Sequence, residues 1–131
     1  MAQIIAIYDD IHAVRASLTG QQLAREVGFS EVGSVAVGTA ILEVSRNIVR
    51  YAGRGFISIA IIHDGEQAGI YICAVDHGPG IPDLTAALQD GYSTGGGLGH
   101  GLPGTKRLMD QFDITSQPGT GTTVTMTRWR S

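Results

Sequence analysis

A cluster of glycines late in the chain restricts its possible folds more than any other feature. The chain has 131 residues and 19 glycines, whereas an average usage of about 7% would give roughly nine. The excess is concentrated in residues 91–104, directly before a segment with helical periodicity. Backbone N–H groups that carry no side chain, together with a helix N-terminus, form an anion site, and polyphosphate is its natural occupant. A flexible linker is the alternative interpretation, but linkers join domains and this cluster lies inside one.

The cluster differs from two familiar phosphate-binding loops. A Walker loop requires the pattern GxxxxGK[ST], and a Rossmann loop requires a preceding strand and a tight turn. The segment 76–101 is expected to be a long loop, with one short helix at Leu84–Asp90. Loops of this length in a compact domain are usually functional.

Hydrophobic periodicity predicts the element order β-α-α-β-β-loop-α-β-β. Asp9 and Ser30 precede the first two helical segments, and their short side-chain oxygens can accept hydrogen bonds from the free N–H groups of a helix start. Gly28 and Gly53 are placed to end these two helices, and Asp64-Gly65 predicts a hairpin. The first helix has a rough apolar stripe that comprises Ile11, Val14, Leu18 and Val27. The predicted bounds are strand Gln3–Tyr8, a helix to about Val27, helix Glu31–Ala52, strands Phe56–His63 and Gly69–Asp76, helix Leu102–Gln111, and strands Phe112–Ser116 and Thr122–Trp129.

This order of elements predicts an α/β (α+β) fold, a two-layer sandwich in which helices cover one face of a mixed β-sheet. Single domains run to about 100–200 residues, so we expect residues 1–131 to form one domain. A hydrophobic content of 43% is ample for a packed interior.

Charge and composition argue against several classes of protein. The formal net charge is −3, whereas nucleic-acid-binding domains are usually basic, so we expect no nucleic-acid partner. No apolar stretch approaches the roughly 20 residues needed to span a bilayer, and the N-terminus lacks the basic segment of a signal peptide. The single cysteine, Cys73, cannot form an internal disulfide, which fits a reducing compartment. We therefore expect a soluble, cytoplasmic protein without membrane contact.

The second predicted helix carries a carboxylate and an amide on one face. Glu43 and Asn47 are four residues apart, so their side chains point in the same direction about one turn apart. An amide oxygen is a hard, neutral ligand suited to Mg²⁺, and a carboxylate one turn earlier can orient water or accept a proton from a hydroxyl nucleophile. Arg50 follows on the same side and can meet a phosphate. Taken alone, a solvated helix surface explains all three.

Two further polar features lie at strand ends. Asp76 ends a strand and opens the segment DHGPG, where a carboxylate can accept a hydrogen bond from the exocyclic amine of adenine. The glycines of this segment let backbone approach a flat base. Gly121-Thr122 begins the last strand, and the threonine hydroxyl can reach the adenine edge through a water. An ordinary tight turn and a β-favouring threonine in a hairpin are the structural alternatives.

Together these segments resemble the GHKL ATPases and kinases, a group that includes gyrase, Hsp90, MutL and histidine kinases. Glu43–Asn47 is similar to the N box of that family, Asp76–Gly80 to its G1 box, Gly95–Gly99 to its G2 box, and Gly121-Thr122 to its Gly-Thr pair. All four occur in the family's order, a conjunction that is more specific than any one box. The resemblance implies the Bergerat ATP-binding fold with a glycine-rich ATP lid.

The resemblance also implies roles for individual residues. Asn47 would hold Mg²⁺, and Asp76 would bind the adenine amine with support from Thr122. Arg50 stands where histidine kinases often carry a phosphate-contacting lysine. The base pocket would be lined by Gly78 and Gly80, and the phosphates of ATP would be wrapped by Gly95, Gly97, Leu98, Gly99, His100 and Gly101.

Within the family, the chain resembles the free-standing bacterial anti-sigma serine/threonine kinases, and among these the stressosome switch kinases. The likeness is carried by Glu43–Gly55, Asp76–Asp83, Asp90–Thr94 and Gly96–Asp110. It implies transfer of the γ-phosphoryl of ATP to a serine or threonine of a STAS-domain protein, with Glu43 orienting or deprotonating that hydroxyl. The freed kinase would then activate a PP2C-type phosphatase. Asp83–Gly97 would be a lid that is mobile without ATP and ordered with it.

Two other functions remain open at this point. One is an anti-sigma factor kinase that sequesters a sigma factor, and the other is a non-catalytic ATP-gated binding module. Related anti-sigma kinases can dimerise, so the resemblance leaves a homodimer open as well.

Overall fold

The computed structural model describes residues 2–80 and 101–130. The described elements follow the predicted order, with ends that differ from the predicted ones by up to three residues. They are β1 (Ala2–Ile7), α1 (Asp10–Glu26), α2 (Glu31–Ala52), β2 (Gly55–Asp64), β3 (Gln67–Asp76), α3 (Gly101–Leu108), β4 (Gln111–Gln117) and β5 (Gly121–Trp129). The short helix predicted at Leu84–Asp90 and the lid predicted at Asp83–Gly97 lie outside the described residues.

The five strands form one sheet in the order β1-β2-β3-β5-β4. Each neighbouring pair is antiparallel, so the two-layer α/β arrangement is confirmed but the prediction of a mixed sheet is wrong. When one helix connects two neighbouring strands, the strands run parallel. Here two helices connect β1 to β2, so the chain comes back to the end of the sheet at which β1 stopped. The two strands therefore run antiparallel. The β2–β3 and β4–β5 pairs are hairpins, the first closed by a turn in which Gly65 has a φ of 61°.

Helices α1 and α2 cover one face of the sheet. Successive side chains of a strand point to opposite faces. The helix-facing residues Ile57 and Ile59 of β2, and Ile70 and Ile72 of β3, are 0% exposed. On the opposite face, Phe56 and Tyr71 are 39% and 36% exposed. The core therefore lies between the sheet and the helices, and the C-terminal half of α2 faces the ends of β3 and β5.

Helix α1 packs through small residues and not through its large apolar ones. Its buried positions are Ala13, Ala16, Gly20 and Ala24. Three members of the apolar stripe seen in the sequence are exposed instead: Ile11 by 55%, Val14 by 43% and Leu18 by 60%. A Cβ added at Gly20 would overlap the Ile41 side chain of α2. The small face lets α1 approach α2 closely, so the stripe is not the packed face of this helix.

Both long helices begin where the sequence predicts. The Asp9 carboxylate accepts a hydrogen bond from the Ile11 N–H at 3.4 Å, and the Ser30 hydroxyl accepts one from the Gly33 N–H at 3.1 Å. Val27 is followed by Gly28 with a φ of 93°, and α2 ends at Gly53 with a φ of 84°. These are the left-handed positions at which glycine ends helices.

Helix α2 is the core helix of the sandwich. By length and composition alone it could cross a membrane, contrary to the expectation that no stretch would reach that length. However, 61% of its most apolar 18-residue window is buried inside the protein. Its hydrophobicity therefore serves the packing between the two layers.

Candidate functional site

Glu43 and Asn47 lie one turn apart on α2, as their spacing predicts. Glu43 is 4% exposed, whereas Asn47 is half-buried and lines a cavity between α2 and the sheet. Burying a carboxylate is costly unless polar groups contact it, so the position of Glu43 requires polar neighbours. Arg50 is exposed in the last turn of the helix. A positive charge there interacts favourably with the helix dipole, whether or not a phosphate binds.

Three polar side chains lie in one row across β3, β5 and β4. Asp76 is opposite Thr122, and Thr122 is opposite Ser116, in the strand register. The oxygens Ser116 Oγ and Thr122 Oγ1 are 2.9 Å apart and share a hydrogen bond. Asp76 is 9% exposed, and its Oδ1 accepts a hydrogen bond from the Gly78 N–H at 2.9 Å. The row faces the helix layer, since Ala74, two residues before Asp76, belongs to the core.

The row borders a narrow cavity between α2 and the sheet. The lining is mostly apolar with a few placed polar groups, a composition that is typical of small-molecule sites. Asn47, Asp76 and Thr122 contribute polar side chains to the lining. The other lining residues are Val44, Ile48, Tyr51, Ala74, Leu102, Ile114 and Val124. The carboxylate of Asp76 beside the hydroxyl of Thr122 can pair with a ligand edge that carries a hydrogen-bond donor and an acceptor.

Glycines next to the row allow three segments to approach closely. A Cβ added at Gly78 would lie 2.5 Å from the Cβ of Ala52, and one at Gly80 would lie 2.5 Å from the last backbone oxygen of β4. At Gly121, where φ is 134°, an added Cβ would overlap the Asp76 carbonyl oxygen. These contacts hold the end of β3 between the end of α2 and the β4–β5 hairpin. Packing therefore explains why Gly78 and Gly80 are glycines. That they line a base pocket stays a prediction.

Gly101 is the one residue of the predicted phosphate-binding run that the structure describes. It begins α3 with a φ of 68°, and its carbonyl accepts a hydrogen bond from Thr105 Oγ1 at 3.0 Å. Leu102 follows it and lines the cavity, so the start of α3 borders the site. The other members of the run, Gly95, Gly97, Leu98, Gly99 and His100, lie outside the described residues.

The sequence interpretation missed the apolar walls of the cavity. Ala74 precedes Asp76 by two residues and Val124 follows Thr122 by two, so each shares a face with its polar neighbour. Ile114 has the same relation to the third member of the row. An apolar residue two positions from each polar residue of the row is the sequence signal that could have identified these walls.

The structure is an α/β domain with a partly polar cavity between its sheet and its helices. The chain belongs to the family of histidine kinase-, DNA gyrase B- and HSP90-like ATPases, whose model matches residues 33–130, and members of this family bind ATP. Among solved structures, the mycobacterial sensor histidine kinase MprB matches with a TM-score of 0.53 and 19% identity, over 99% of this chain and 98% of that one. The catalytic domain of histidine kinase ThkA matches with a TM-score of 0.54 and 11% identity, over 98% and 96%. At these identities the likeness concerns the fold alone.

Two curated relatives narrow the class. The serine/threonine-protein kinase RsbT of Bacillus subtilis is 45% identical over 95% of this chain and 94% of its own length. The anti-sigma F factor of Bacillus licheniformis is 34% identical over 74% of this chain and 64% of its own length. The similarity to RsbT, which extends over nearly the whole of both chains, supports protein-kinase activity. Both relatives together support a role in signalling by exchange of protein partners.

Proposed function

We propose that this chain is an ATP- and Mg²⁺-dependent protein serine/threonine kinase that phosphorylates a STAS-domain stressosome protein. When released from that protein, it activates a PP2C-type phosphatase in a partner-switching stress pathway. It acts in the bacterial cytoplasm, and residues 1–131 form one domain. The observation that carries this proposal is the cavity shared by Asn47, Asp76 and Thr122, with the buried Glu43 one turn from Asn47 on the same helix.

The adenine ring is held by the row of polar residues and by the apolar walls. The Asp76 carboxylate accepts a hydrogen bond from the exocyclic amine, and the Gly78 N–H holds one carboxylate oxygen at 2.9 Å. Thr122 supports the same edge of the base. Gly78 and Gly80 keep side chains away from the ring, in addition to their packing role.

The polyphosphate is held beside Asn47. The Asn47 side-chain oxygen is a ligand for Mg²⁺, an ion that takes few protein ligands and keeps water and phosphate oxygens. Among residues 2–80 and 101–130 there is no group of three or more His, Cys, Asp or Glu side chains that could hold a metal. The proposed phosphate-binding residues are Gly95, Gly97, Leu98, Gly99, His100 and Gly101, together with Arg50.

Glu43 is the proposed catalytic residue. Bound ATP supplies the γ-phosphoryl group, and Glu43 orients the substrate hydroxyl and accepts its proton. Phosphoryl transfer depends mostly on positioning and on neutralising charge. A buried carboxylate on a long core helix is well suited to positioning, because the helix holds its backbone rigidly.

Phosphorylation provides a physical mechanism for the change of partner. A phosphoryl group adds about −1.5 to −2 charges to the surface of the substrate. If that surface contacts the kinase, the new charge weakens the complex. The kinase is then free to bind the phosphatase.

A phosphotransfer assay with a matched pair of variants tests this function. We expect Glu43→Gln to lower the rate of transfer to a STAS-domain protein by about 100-fold or more, with ATP binding retained. Glu31→Gln, which changes an exposed carboxylate at the start of the same helix, should leave both unchanged. The measurement is the mass gain of one phosphate on the STAS protein. Transfer by Glu43→Gln at the wild-type rate would contradict the assigned role, and ATP binding without transfer by wild type would favour a non-catalytic ATP-gated module.

An anti-sigma factor kinase is the second candidate. The 34% identity to an anti-sigma F factor favours it. Recovery of a sigma factor bound directly to the purified chain would support this candidate. Recovery of the STAS protein and the phosphatase without a sigma factor would support the switch kinase.

A further inference from the structure

We infer that Arg128 is a positioning residue, which anchors the end of α3 and thereby fixes the start of this helix beside the nucleotide. The inference rests on the proposed function of the cavity. Arg128 is in β5 and is not among the described residues that line the cavity. It acts through α3, because its Nη1 donates a hydrogen bond to the Leu108 carbonyl oxygen at 2.6 Å.

Helix α3 needs contacts with its neighbours to keep its position. It has eight residues, whereas isolated helices shorter than about 12–15 residues are marginal in water. Gly104 lies inside the helix, and glycine is a poor helix former. The elements packed around α3 therefore determine where the helix lies.

The surroundings of the two ends of α3 are defined. At its start, Leu102 is buried and lines the cavity together with Asn47 of α2. At its end, the Leu108 carbonyl is one of the last four carbonyls, which have no partner within a helix. Arg128 supplies that partner, and a cation at a helix C-terminus also interacts favourably with the helix dipole. The end of α3 is thus bonded to the sheet, while its start borders the site.

The helix transmits this anchor to the cavity as one unit. Thr105 is 0% exposed, and its Oγ1 donates a hydrogen bond to the Gly101 carbonyl at 3.0 Å. A side chain therefore supports the backbone bonds of the first turn. Because the helix moves as a whole, a change of its orientation at Leu108 displaces Leu102 and Gly101.

The turn after α3 is bonded to the sheet separately. The Asp110 N–H donates to the Thr127 carbonyl at 2.9 Å, and the Trp129 N–H donates to the Asp110 carboxylate at 2.7 Å. Neither bond involves the Arg128 side chain. Loss of that side chain should therefore leave the strand pairing intact and release the orientation of α3.

Nucleotide affinities of three variants test the assignment. We expect Arg128→Met to raise the Kd for Mg-ATP by roughly 3- to 10-fold, an effect typical of residues that modulate binding without contact to the ligand. Arg128→Lys keeps the charge and a donor and should recover part of the loss. Isothermal titration calorimetry measures the Kd.

Arg130 provides the matched control. It also donates to backbone carbonyls, to that of Val27 at 2.9 Å and to that of Glu66 at 3.0 Å. Neither of these residues is among the described lining of the cavity. Arg130→Met should therefore leave the Kd for Mg-ATP unchanged, even if it lowers the free energy of unfolding. Equal increases of the Kd in Arg128→Met and Arg130→Met would overturn the inference.

Adenosine separates positioning from general destabilisation. The proposed contacts of the base, Asp76 and Thr122, belong to the sheet, whereas Gly101 of α3 belongs to the proposed phosphate-binding run. Arg128→Met should therefore weaken the binding of ATP more than that of adenosine. An equal loss for both ligands would show that Arg128 only stabilises the fold.

Methyl NMR spectra of the nucleotide-free protein detect the displacement of α3. Leu102 lies about 9 Å from Leu108 along the helix axis, so its methyl groups report on the position of the helix start. Arg128→Met should shift their resonances, and Arg130→Met should not. Unchanged Leu102 resonances in Arg128→Met would contradict the proposed displacement.

The outcomes for wild type and variants distinguish this inference from the proposed function. If wild type binds and transfers from ATP while Arg128→Met keeps the wild-type Kd, only the role of Arg128 fails. If wild type binds no adenine nucleotide, the proposed function fails together with the inference. A raised Kd in Arg128→Met that Arg128→Lys partly restores, with no change in Arg130→Met, supports the inference.

Discussion

Gly121 begins β5 directly beside the backbone of Asp76. Its φ of 134° lies in a region that glycine adopts without strain and other residues avoid, and an added Cβ would overlap the Asp76 carbonyl oxygen. We expect Gly121→Ala to lower the free energy of unfolding by about 3 kcal/mol. It should also weaken ATP binding, because relief of the overlap moves Asp76. Urea denaturation and nucleotide titration measure the two effects.

Gly119 in the same hairpin provides the control. Its φ is 80°, and nothing lies within 4 Å of an added Cβ. Gly119→Ala should therefore show only the cost of a left-handed backbone, about 1 kcal/mol, with ATP binding unchanged. Equal effects of the two substitutions would contradict the argument from the Asp76 contact.

The predictability of single residues depends on whether their role is local. The spacing of Glu43 and Asn47 places both on one face of a helix, so the sequence is sufficient to predict their relation. Ser116 has no such local signal, because a serine near a hairpin is common. Its contact with Thr122 comes from the β4–β5 register, which depends on the turn and on the pairing of the whole hairpin.

At the scale of elements, the two helices use different packing strategies, and this gives a test. Leu18 on α1 is 60% exposed, whereas Ile41 on α2 is 0% exposed. Leu18→Ala should change the free energy of unfolding by about 0.5 kcal/mol at most. Ile41→Ala should cost about 2–5 kcal/mol, since it removes buried atoms and leaves a cavity. A loss above about 2 kcal/mol for Leu18→Ala, also measured by urea denaturation, would mean that the stripe is buried in solution.

Helix starts were easier to predict than helix faces or strand directions. A capping oxygen at Asp9 or Ser30 acts within one turn, so the sequence contains the whole signal. The packed face of α1 depends on what α2 presents, and Gly20 against Ile41 makes a small face the better fit. Periodicity predicts the two helices between β1 and β2, but it does not reveal that these two strands are neighbours in the sheet.

At the scale of the whole molecule, the cavity joins elements that are distant in the sequence. Asn47 is on α2, Asp76 ends β3 and Thr122 begins β5, yet all three line one volume. The family's motifs predict this set, because their order along the chain is that of a known fold. The apolar walls were not predicted, since isoleucine and valine at those positions also fit an ordinary core.

Because the site draws on several elements, a ligand that binds it should stabilise the entire fold. Binding to the native state alone adds about 2.7 kcal/mol when the ligand is at 100 times its Kd. We expect Mg-ATP at that excess to raise the free energy of unfolding by about this amount, and to raise Tm in parallel.

Asp76→Asn should remove most of the increase. Asn47→Ala should reduce it to the value that wild-type protein shows with ATP and EDTA. Thermal denaturation with ATP, with and without Mg²⁺, makes the comparison. If EDTA lowers the increase equally in wild type and in Asn47→Ala, the cation is held by other groups and Asn47 is not its ligand.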